Sequence, residues 1–189
     1  MAPSRTPSFL RDAISAFPAT MRATAENAAT TLAPLVDEGL RIRARAAVVR
    51  GRPVLIPYRI HFIGLNEAQP ELPGESSPAV QCLCTRSTDG HVRQAALRHI
   101  LRINEPFVVP FVVLLAGEYV VEIIAELVAS LSVLDRDTYA EFVRENRHLM
   151  RSLRTKATSY WNCYYRRSYP DRGTYPGLVF LHQLEAWAS

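Results

Sequence analysis

The sequence predicts a mainly α-helical single domain, and three observations support this class. The chain has 189 residues, enough for one domain with its own core, and 48% of them are hydrophobic while 21% are charged. Apolar side chains recur at helical spacing through most of the chain from residue 89 onward. Proline and glycine, at 13 and 8 residues, are not in excess, which argues against a disordered chain.

Residues 1–22 are predicted to form a loosely ordered tail, because they contain three prolines and little hydrophobic periodicity. The mainly helical domain then extends over residues 23–189. Its first part, residues 23–50, is alanine-rich and compatible with a helix interrupted by Pro34. Gly51 stands where a helix commonly ends, so a helical segment is expected here.

The next part of the sequence leaves a small β-hairpin open beside the helices. Residues 54–63, VLIPYRIHFI, alternate apolar and polar side chains toward their end, which is typical of a strand with one buried face. Residues 65–78 are acidic and proline-rich, and they predict an exposed loop. Residues 79–85, AVQCLCT, fit either a second strand that pairs back or a short helix, and periodicity does not decide between them.

From residue 89 onward, four helices are expected. Asp89 is placed to cap the first. The second covers residues 106–134, with its prolines confined to the first turns, where missing amide donors are tolerated. Thr138 and Glu141 have the spacing of a capping box and predict a third, long helix ending near residue 167. LVFLHQLEAW then predicts a last amphipathic helix.

Residues 87–127 contain a local match to a known repeat pattern, D-x-x-V-R-x-x-A-L. The residues that match it are Asp89, Val92, Arg93, Ala96 and Leu97. The segment resembles a HEAT or armadillo-type helical repeat, and no second copy occurs at that spacing. The resemblance implies a helical surface presented to another protein, and it assigns no binding residue.

The composition predicts a cytoplasmic protein without disulfides. The cysteines, at positions 82, 84 and 163, are odd in number and lack the spacing of a redox or metal-binding pair. The most apolar run, PFVVPFVVLLAG, is about twelve residues, short of the roughly twenty that span a bilayer, so no membrane span is expected. The N-terminus has no secretory core, although its Arg, Ser and Thr content leaves an organelle transit peptide open.

The candidate partner-binding surface is rich in arginine. The formal net charge is +4, and Lys156 is the only lysine. Four arginines share one sector of the third predicted helix, beside its apolar stripe. They form either a solvated flank or a surface for acidic protein or nucleic-acid backbone. The residues assigned to an anionic partner are Arg144, Arg147, Arg151, Arg154, Tyr165, Arg166 and Arg167.

The aromatic segment SYWNCYYRRSYPDRGTYPG, residues 159–177, fits either a core stripe or a stacking surface. An α-helix turns about 100° per residue, and this rotation places Tyr160, Trp161 and Tyr164 on the apolar stripe. These rings are therefore expected to be core. Tyr165 lies off the stripe, where it is free to stack on a base or a ligand.

Catalytic and metal-binding patterns are missing from the sequence. It has no G-x-S-x-G, no phosphate-binding glycine loop and no H-E-x-x-H. Glu145 and His148 have the Glu-x-x-His spacing of di-iron sites, but they form a single copy off the apolar stripe. No catalytic residue, metal ligand or cofactor is assigned.

The function expected from these patterns is non-enzymatic. The leading hypothesis is an interaction or scaffold protein that presents helical faces to a protein partner or to a second copy of itself. The alternative is a nucleic-acid-binding protein that uses the arginines and the adjacent tyrosine. An enzyme of unknown class ranks third.

Overall fold

The computed structural model describes residues 8–37, 43–65 and 77–189, and it confirms the mainly helical class with a small two-stranded antiparallel sheet. The helices are α1 (Ser8–Ser15), α2 (Arg22–Leu32), α3 (Pro78–Cys84), α4 (Gly90–Ile100), α5 (Val109–Leu115), α6 (Val121–Ala129), α7 (Arg136–Glu145), α8 (Arg147–Tyr160) and α9 (Pro176–Trp187). The strands are β1 (Ala44–Val49) and β2 (Arg52–Pro57).

The N-terminal part of the described chain is packed, although residues 1–22 are predicted as a tail. Helix α1 buries Phe9 and Ala13 completely and contacts α2 and β2. An isolated helix of this length is marginal in water, so tertiary packing of its apolar face stabilises it. Residues 8–22 therefore belong to the folded domain, and residues 1–7 lie outside the described residues.

The helix predicted over residues 23–50 is wrong at residues 44–49, because these form strand β1 of a β-hairpin. Helix α2 ends at Leu32, and β1 pairs with β2 through a two-residue turn. The turn residues Arg50 and Gly51 both have positive φ, 49° and 72°. Positive φ at both positions is the pattern of a type I′ turn, whose twist matches the strands it joins. Gly51 therefore belongs to a hairpin turn and not to a helix end.

Of the two structures left open for residues 79–85, the structure shows the short helix and not the strand, since this segment forms most of α3. The Ser77 side chain caps the helix by accepting a hydrogen bond from the Val80 amide, and Pro78 occupies its first turn. Six of its seven residues are buried. A segment buried on all sides shows neither a period of two nor a period of 3.6, which is why periodicity could not decide its structure.

The predicted first strand, residues 54–63, is confirmed only in part. Strand β2 ends at Pro57, and beyond it the chain makes two isolated bridges, Val36 with Phe62 and Ile60 with Ser87. The first bridge joins the segment after β2 to the chain that follows α2, and the second joins it to the chain ahead of α4. The exposed loop predicted over residues 65–78 falls almost wholly outside the described residues.

The helix predicted over residues 106–134 is divided into α5 and α6. Gly117 lies at the division, so close to α8 that a Cβ added there would be 2.8 Å from Leu153 Cδ2. A larger residue at position 117 would push this part of the chain away from α8. All seven residues of α5 are buried, which makes it a core helix, as expected for the most apolar run. No helix among the described residues is long and apolar enough to cross a membrane.

The third predicted helix is likewise divided, at Asn146, into α7 and α8. Asp135, and not Thr138, caps α7 by accepting a hydrogen bond from the Thr138 amide. The Asn146 side chain accepts a 2.8 Å hydrogen bond from the Val48 amide and donates one of 2.8 Å to the Val48 carbonyl. Its amide group therefore pairs with β1 as a backbone peptide would, and it fastens the hairpin to the junction of α7 and α8.

Replacing Asn146 by alanine removes both hydrogen bonds to Val48. N146A is expected to lower the free energy of unfolding by about 1–3 kcal/mol, because partly buried amide and carbonyl groups of Val48 lose their partner. Urea denaturation measures this change, with N162A at an exposed position as the control, expected to cost under about 0.5 kcal/mol. Equal stabilities of the two variants would contradict the assigned role of Asn146.

Candidate functional site

Three of the four arginines predicted on one helix sector lie together in a groove. Arg144 at the end of α7 and Arg147 and Arg151 on α8 are exposed. They line a cavity of about 320 Å³ between α7, α8 and the end of α9, here called the arginine groove. Its lining residues are Val143, Arg144, Arg147, Met150, Arg151, Glu185, Ala188 and Ser189.

The arginine groove combines an apolar floor with a cationic rim. Val143 and Met150 on the floor are buried, and they belong to the core stripe of α7 and α8. Within the described part of the chain, Arg144, Arg147 and Arg151 form no ion pair, since the nearby Glu185 carboxylate pairs with Arg154. The rim therefore keeps three positive charges available to a partner, and Arg154 does not share this property.

The remaining predicted residues, Tyr165, Arg166 and Arg167, do not line the arginine groove. The Tyr165 ring stacks on Tyr175 at 5.5 Å between centroids, and its hydroxyl donates to the Tyr119 carbonyl at 2.5 Å. The Arg166 guanidinium lies 5.7 Å from the centroid of the Trp161 ring. Tyr165 therefore packs against other residues of the protein, whereas Arg167 is exposed.

The expectation that Tyr164 belongs to the core is wrong, and a π-helical turn explains the error. Residues 161–165 form this turn at the end of α8. Each residue of a π-turn rotates less than in an α-helix, because its hydrogen bonds close over five residues. Counting 100° per residue therefore fails beyond Tyr160. As a result Tyr164 is 67% exposed, while Tyr165 takes the position that packs against the protein.

A buried ion-pair network lies on the other side of α8. Glu118, between α5 and α6, is 3% exposed, and its Oε2 lies 2.5 Å from Arg59 Nη2 and 3.6 Å from Arg93 Nη2. Arg93, on α4, is 1% exposed and also donates to the Ser87 and Thr88 carbonyls at 3.0 Å. Burial lowers the pKa of Arg93, and the Glu118 carboxylate opposes that shift.

Arg86 adds a further buried cation beside this network. It is 2% exposed and donates to the Thr85 hydroxyl at 3.2 Å and to the Phe111 carbonyl at 3.4 Å. Burial lowers its pKa to about 9, so it remains charged at neutral pH. Among the described residues it has no carboxylate within ion-pair distance, and Glu118 offsets its charge from farther away.

The sequence alone does not predict this buried ion-pair network. In the sequence, Glu118 is the first of three acids at helical spacing, with Glu122 and Glu126. They point away from the apolar residues of that segment, which predicts contact with water or with a third element. The structure separates them, because Glu118 is buried, Glu122 is exposed and Glu126 binds Arg98 across to α4. The division between α5 and α6 places Glu118 outside both helices, so its direction does not follow helical rotation.

Three cations surround the ring of Tyr58, which follows β2. The distances to the ring centroid are 5.6 Å for Arg45 Cζ, 4.9 Å for Arg59 Cζ and 4.7 Å for Lys156 Nζ. Lys156 also donates a 3.0 Å hydrogen bond to the Tyr58 hydroxyl. This bond lowers the pKa of Tyr58, and burial opposes the shift. Arg59 is neutralised by Glu118, whereas Arg45 and Lys156 pair with no carboxylate in the described ranges.

These two cations adjoin a second groove, between β1 and α8, here called the hairpin groove. Its volume is about 560 Å³, and its lining residues are Ala44, Arg45, Ala46, Ala47, Val48, Pro53, Glu145, Asn146, His148, Leu149 and Ser152. Arg45 donates to the Ser152 hydroxyl at 3.4 Å, near Lys156 on the next turn of α8. Sequence reasoning missed this site because it placed Arg45 in a helix.

The carboxylate of the Glu-x-x-His pair contacts the hairpin turn. Both carboxylate oxygens of Glu145 accept hydrogen bonds from the hairpin turn, from the Arg50 amide at 3.0 Å and the Gly51 amide at 2.6 Å. Within the residues that the structure describes, no group of three or more His, Cys, Asp and Glu side chains is placed to hold a metal ion. Glu145 therefore fastens the hairpin beside Asn146.

Comparison of the chain with known protein families, curated proteins and solved structures finds no match in any of the three.

The contact between Lys156 and Tyr58 has a measurable consequence for titration. K156Q is expected to raise the pKa of Tyr58, because it removes the ammonium donor and its positive charge from the phenolate. Nuclear magnetic resonance (NMR) of protein labelled with ¹³C at tyrosine Cζ follows the titration, and Y58F assigns the signal. The control R102Q removes one exposed charge elsewhere and is expected to leave this pKa unchanged. A Tyr58 pKa that K156Q does not move would contradict the contact.

Proposed function

We propose that the protein is a non-enzymatic interaction protein whose arginine groove binds an acidic, amphipathic segment of a partner protein. The observation that carries the proposal is the set of three unpaired guanidinium groups, from Arg144, Arg147 and Arg151, around the apolar floor of Val143 and Met150. An apolar floor accepts the apolar face of a docked segment, and guanidinium groups bind carboxylates through two parallel hydrogen bonds.

The spacing of the arginines supports a charged partner in particular. Arg147 and Arg151 are four residues apart on α8, and like charges at this spacing destabilise a helix by about 0.2–0.5 kcal/mol. Carboxylates from a partner would remove this repulsion as they add hydrogen bonds. Binding is therefore expected to depend on the number of acidic residues in the partner and to weaken at high salt.

The HEAT-like segment adds a second reason to propose a protein partner. In repeats of that type, paired helices present a surface to another protein, and residues 87–127 span α4, α5 and most of α6. The segment is proposed to support the surface that carries the arginine groove, and not to bind the partner itself, because α5 is wholly buried.

Nucleic-acid binding remains the second candidate, on one specific observation. Tyr164 is 67% exposed and lies beside the exposed Arg166 and Arg167, which is the combination of ring and cations that single strands stack on. This function would use the end of α8 and not the arginine groove. The protein partner ranks first because the floor of the groove is apolar and the groove holds no exposed ring.

A native pull-down from the source cell with three variants tests the proposal. R144Q/R147Q/R151Q removes the rim of the arginine groove, and R11Q/R52Q/R102Q removes three exposed arginines elsewhere with the same change of charge. We expect a nuclease-resistant protein partner to be retained by the wild type and the matched control. Capture by the groove variant is expected to fall at least about tenfold, which corresponds to about 1.4 kcal/mol.

Two results would contradict this proposal. If R144Q/R147Q/R151Q and R11Q/R52Q/R102Q lost the protein partner equally, net charge alone would explain the loss. Recovery of nucleic acid that Y164A/R166Q/R167Q abolishes, with no protein partner sensitive to the groove variant, would place the nucleic-acid function first.

A further inference from the structure

The hairpin groove lies on the opposite side of α8 from the arginine groove. Arg45 lines it and Lys156 lies beside it, and neither cation pairs with a described carboxylate. Arg45 and Lys156 both contact the ring of Tyr58, within 5.6 Å and 4.7 Å of its centroid. Both groups are positively charged, and an anion placed beside the ring would attract each of them. Glu118, the acid whose charge acts on Tyr58, is already bound to Arg59 and Arg93.

Hydrogen-bond donors converge at the same point. Lys156 has three N–H groups, of which one reaches the Tyr58 hydroxyl, and that hydroxyl retains its own proton to donate. The Ser152 hydroxyl accepts from Arg45 and donates no hydrogen bond to another described residue. Two cations and two hydroxyl groups are thus placed at one end of the hairpin groove, with Arg45 and Ser152 in its lining and Lys156 and Tyr58 beside it. No carboxylate of the described chain pairs with either cation.

This donor set matches a phosphate group better than a carboxylate. A phosphate monoester carries nearly two negative charges at neutral pH and three strong acceptor oxygens, equal to the charge of Arg45 and Lys156 together. A carboxylate brings one charge and two oxygens. The tetrahedral arrangement of phosphate oxygens can also receive donors from both walls, from β1 and from α8.

The groove has room for more than the phosphate. Its volume of about 560 Å³ is within the usual range of small-molecule sites, roughly 300–1,000 Å³. Arg45 precedes Val48 by three residues on β1, and Ser152 follows Asn146 by six on α8, so both walls extend for about 10 Å. Ala47, Leu149 and Pro53 provide apolar contacts between these ends, and Glu145 and His148 provide polar groups at the far end.

We propose that the hairpin groove binds a small phosphate monoester, whose phosphate is held by Arg45 and Lys156 and by the hydroxyls of Tyr58 and Ser152. The site is separate from the arginine groove and does not depend on the function proposed for it. Tyr58 is a positioning and binding residue here, and its lowered pKa agrees with a ring surrounded by positive charge.

The single lysine makes the test direct. Protein labelled with ¹⁵N-lysine gives one side-chain ammonium signal, from Lys156, and inorganic phosphate is titrated while NMR follows that signal. Sodium chloride at matched ionic strength and sodium acetate are the parallel titrations. We expect a saturable shift with phosphate, a weaker one with acetate and none beyond the ionic-strength effect with chloride.

Variants then locate the phosphate. R45Q is expected to weaken phosphate binding at least about tenfold, and R52Q, an exposed arginine of the same hairpin, to change it less than about twofold. Y58F keeps the ring and removes the hydroxyl, so it tests the same contact if R45Q lowers the melting temperature. It is expected to weaken binding about threefold or more. R144Q/R147Q/R151Q is expected to leave phosphate binding unchanged.

Four outcomes would overturn the proposal. They are a shift that chloride reproduces, acetate bound as tightly as phosphate, phosphate affinity unchanged in both R45Q and Y58F, and loss of phosphate binding in the triple variant of the arginine groove. The last outcome would place the anion in the other groove. It would also leave the proposed protein partner untouched, because the pull-down tests that partner separately.

Discussion

The arrangement of the structure depends on the buried ion pairs of the Glu118 carboxylate with Arg59 and Arg93. The carboxylate is buried between α5 and α6, and it holds Arg59 after β2 and Arg93 on α4. A buried charge is tolerated only when it is paired, so all three elements must keep their places together. Because Arg59 follows Tyr58 directly, this pairing also sets the Tyr58 ring beside Lys156 on α8. The hairpin is thus fixed to the helices near one end by Glu118 and near the other by Asn146.

The acids around α8 are already engaged, and this explains why cations remain on both of its sides. Glu118 serves two arginines, Glu185 binds Arg154, and Glu145 accepts the amides of the hairpin turn. The arginine groove and the hairpin groove therefore hold positive charge that no described carboxylate neutralises. One helix with two such sides can serve two different anionic partners, an acidic protein segment on one side and a phosphate on the other. The common physical cause is the use of nearby carboxylates for internal contacts.

Much of the fold could be predicted from periodicity, and its errors have physical causes. The amphipathic helices of the second half follow the 3.6-residue period, and so does the helix sector that holds Arg144, Arg147 and Arg151. The first strand of the hairpin was missed because ARAAVV, residues 44–49, suits a helix as well as a strand. The pairing of Asn146 with Val48 was also missed, because it joins residues 98 apart. The hairpin groove could not be predicted before that pairing was known. The aromatic segment was misassigned because a π-turn changes the rotation from residue to residue.

Urea denaturation of E118Q, beside E122Q, tests most directly whether the buried carboxylate organises the fold. Both variants remove one negative charge, but Glu122 is exposed while Glu118 is 3% exposed. Removing one partner of a buried ion pair leaves uncompensated charge, so E118Q is expected to lower the free energy of unfolding by about 3–5 kcal/mol. E122Q is expected to change it by less than about 0.5 kcal/mol. Equal stabilities of E118Q and E122Q would contradict the central place given to Glu118.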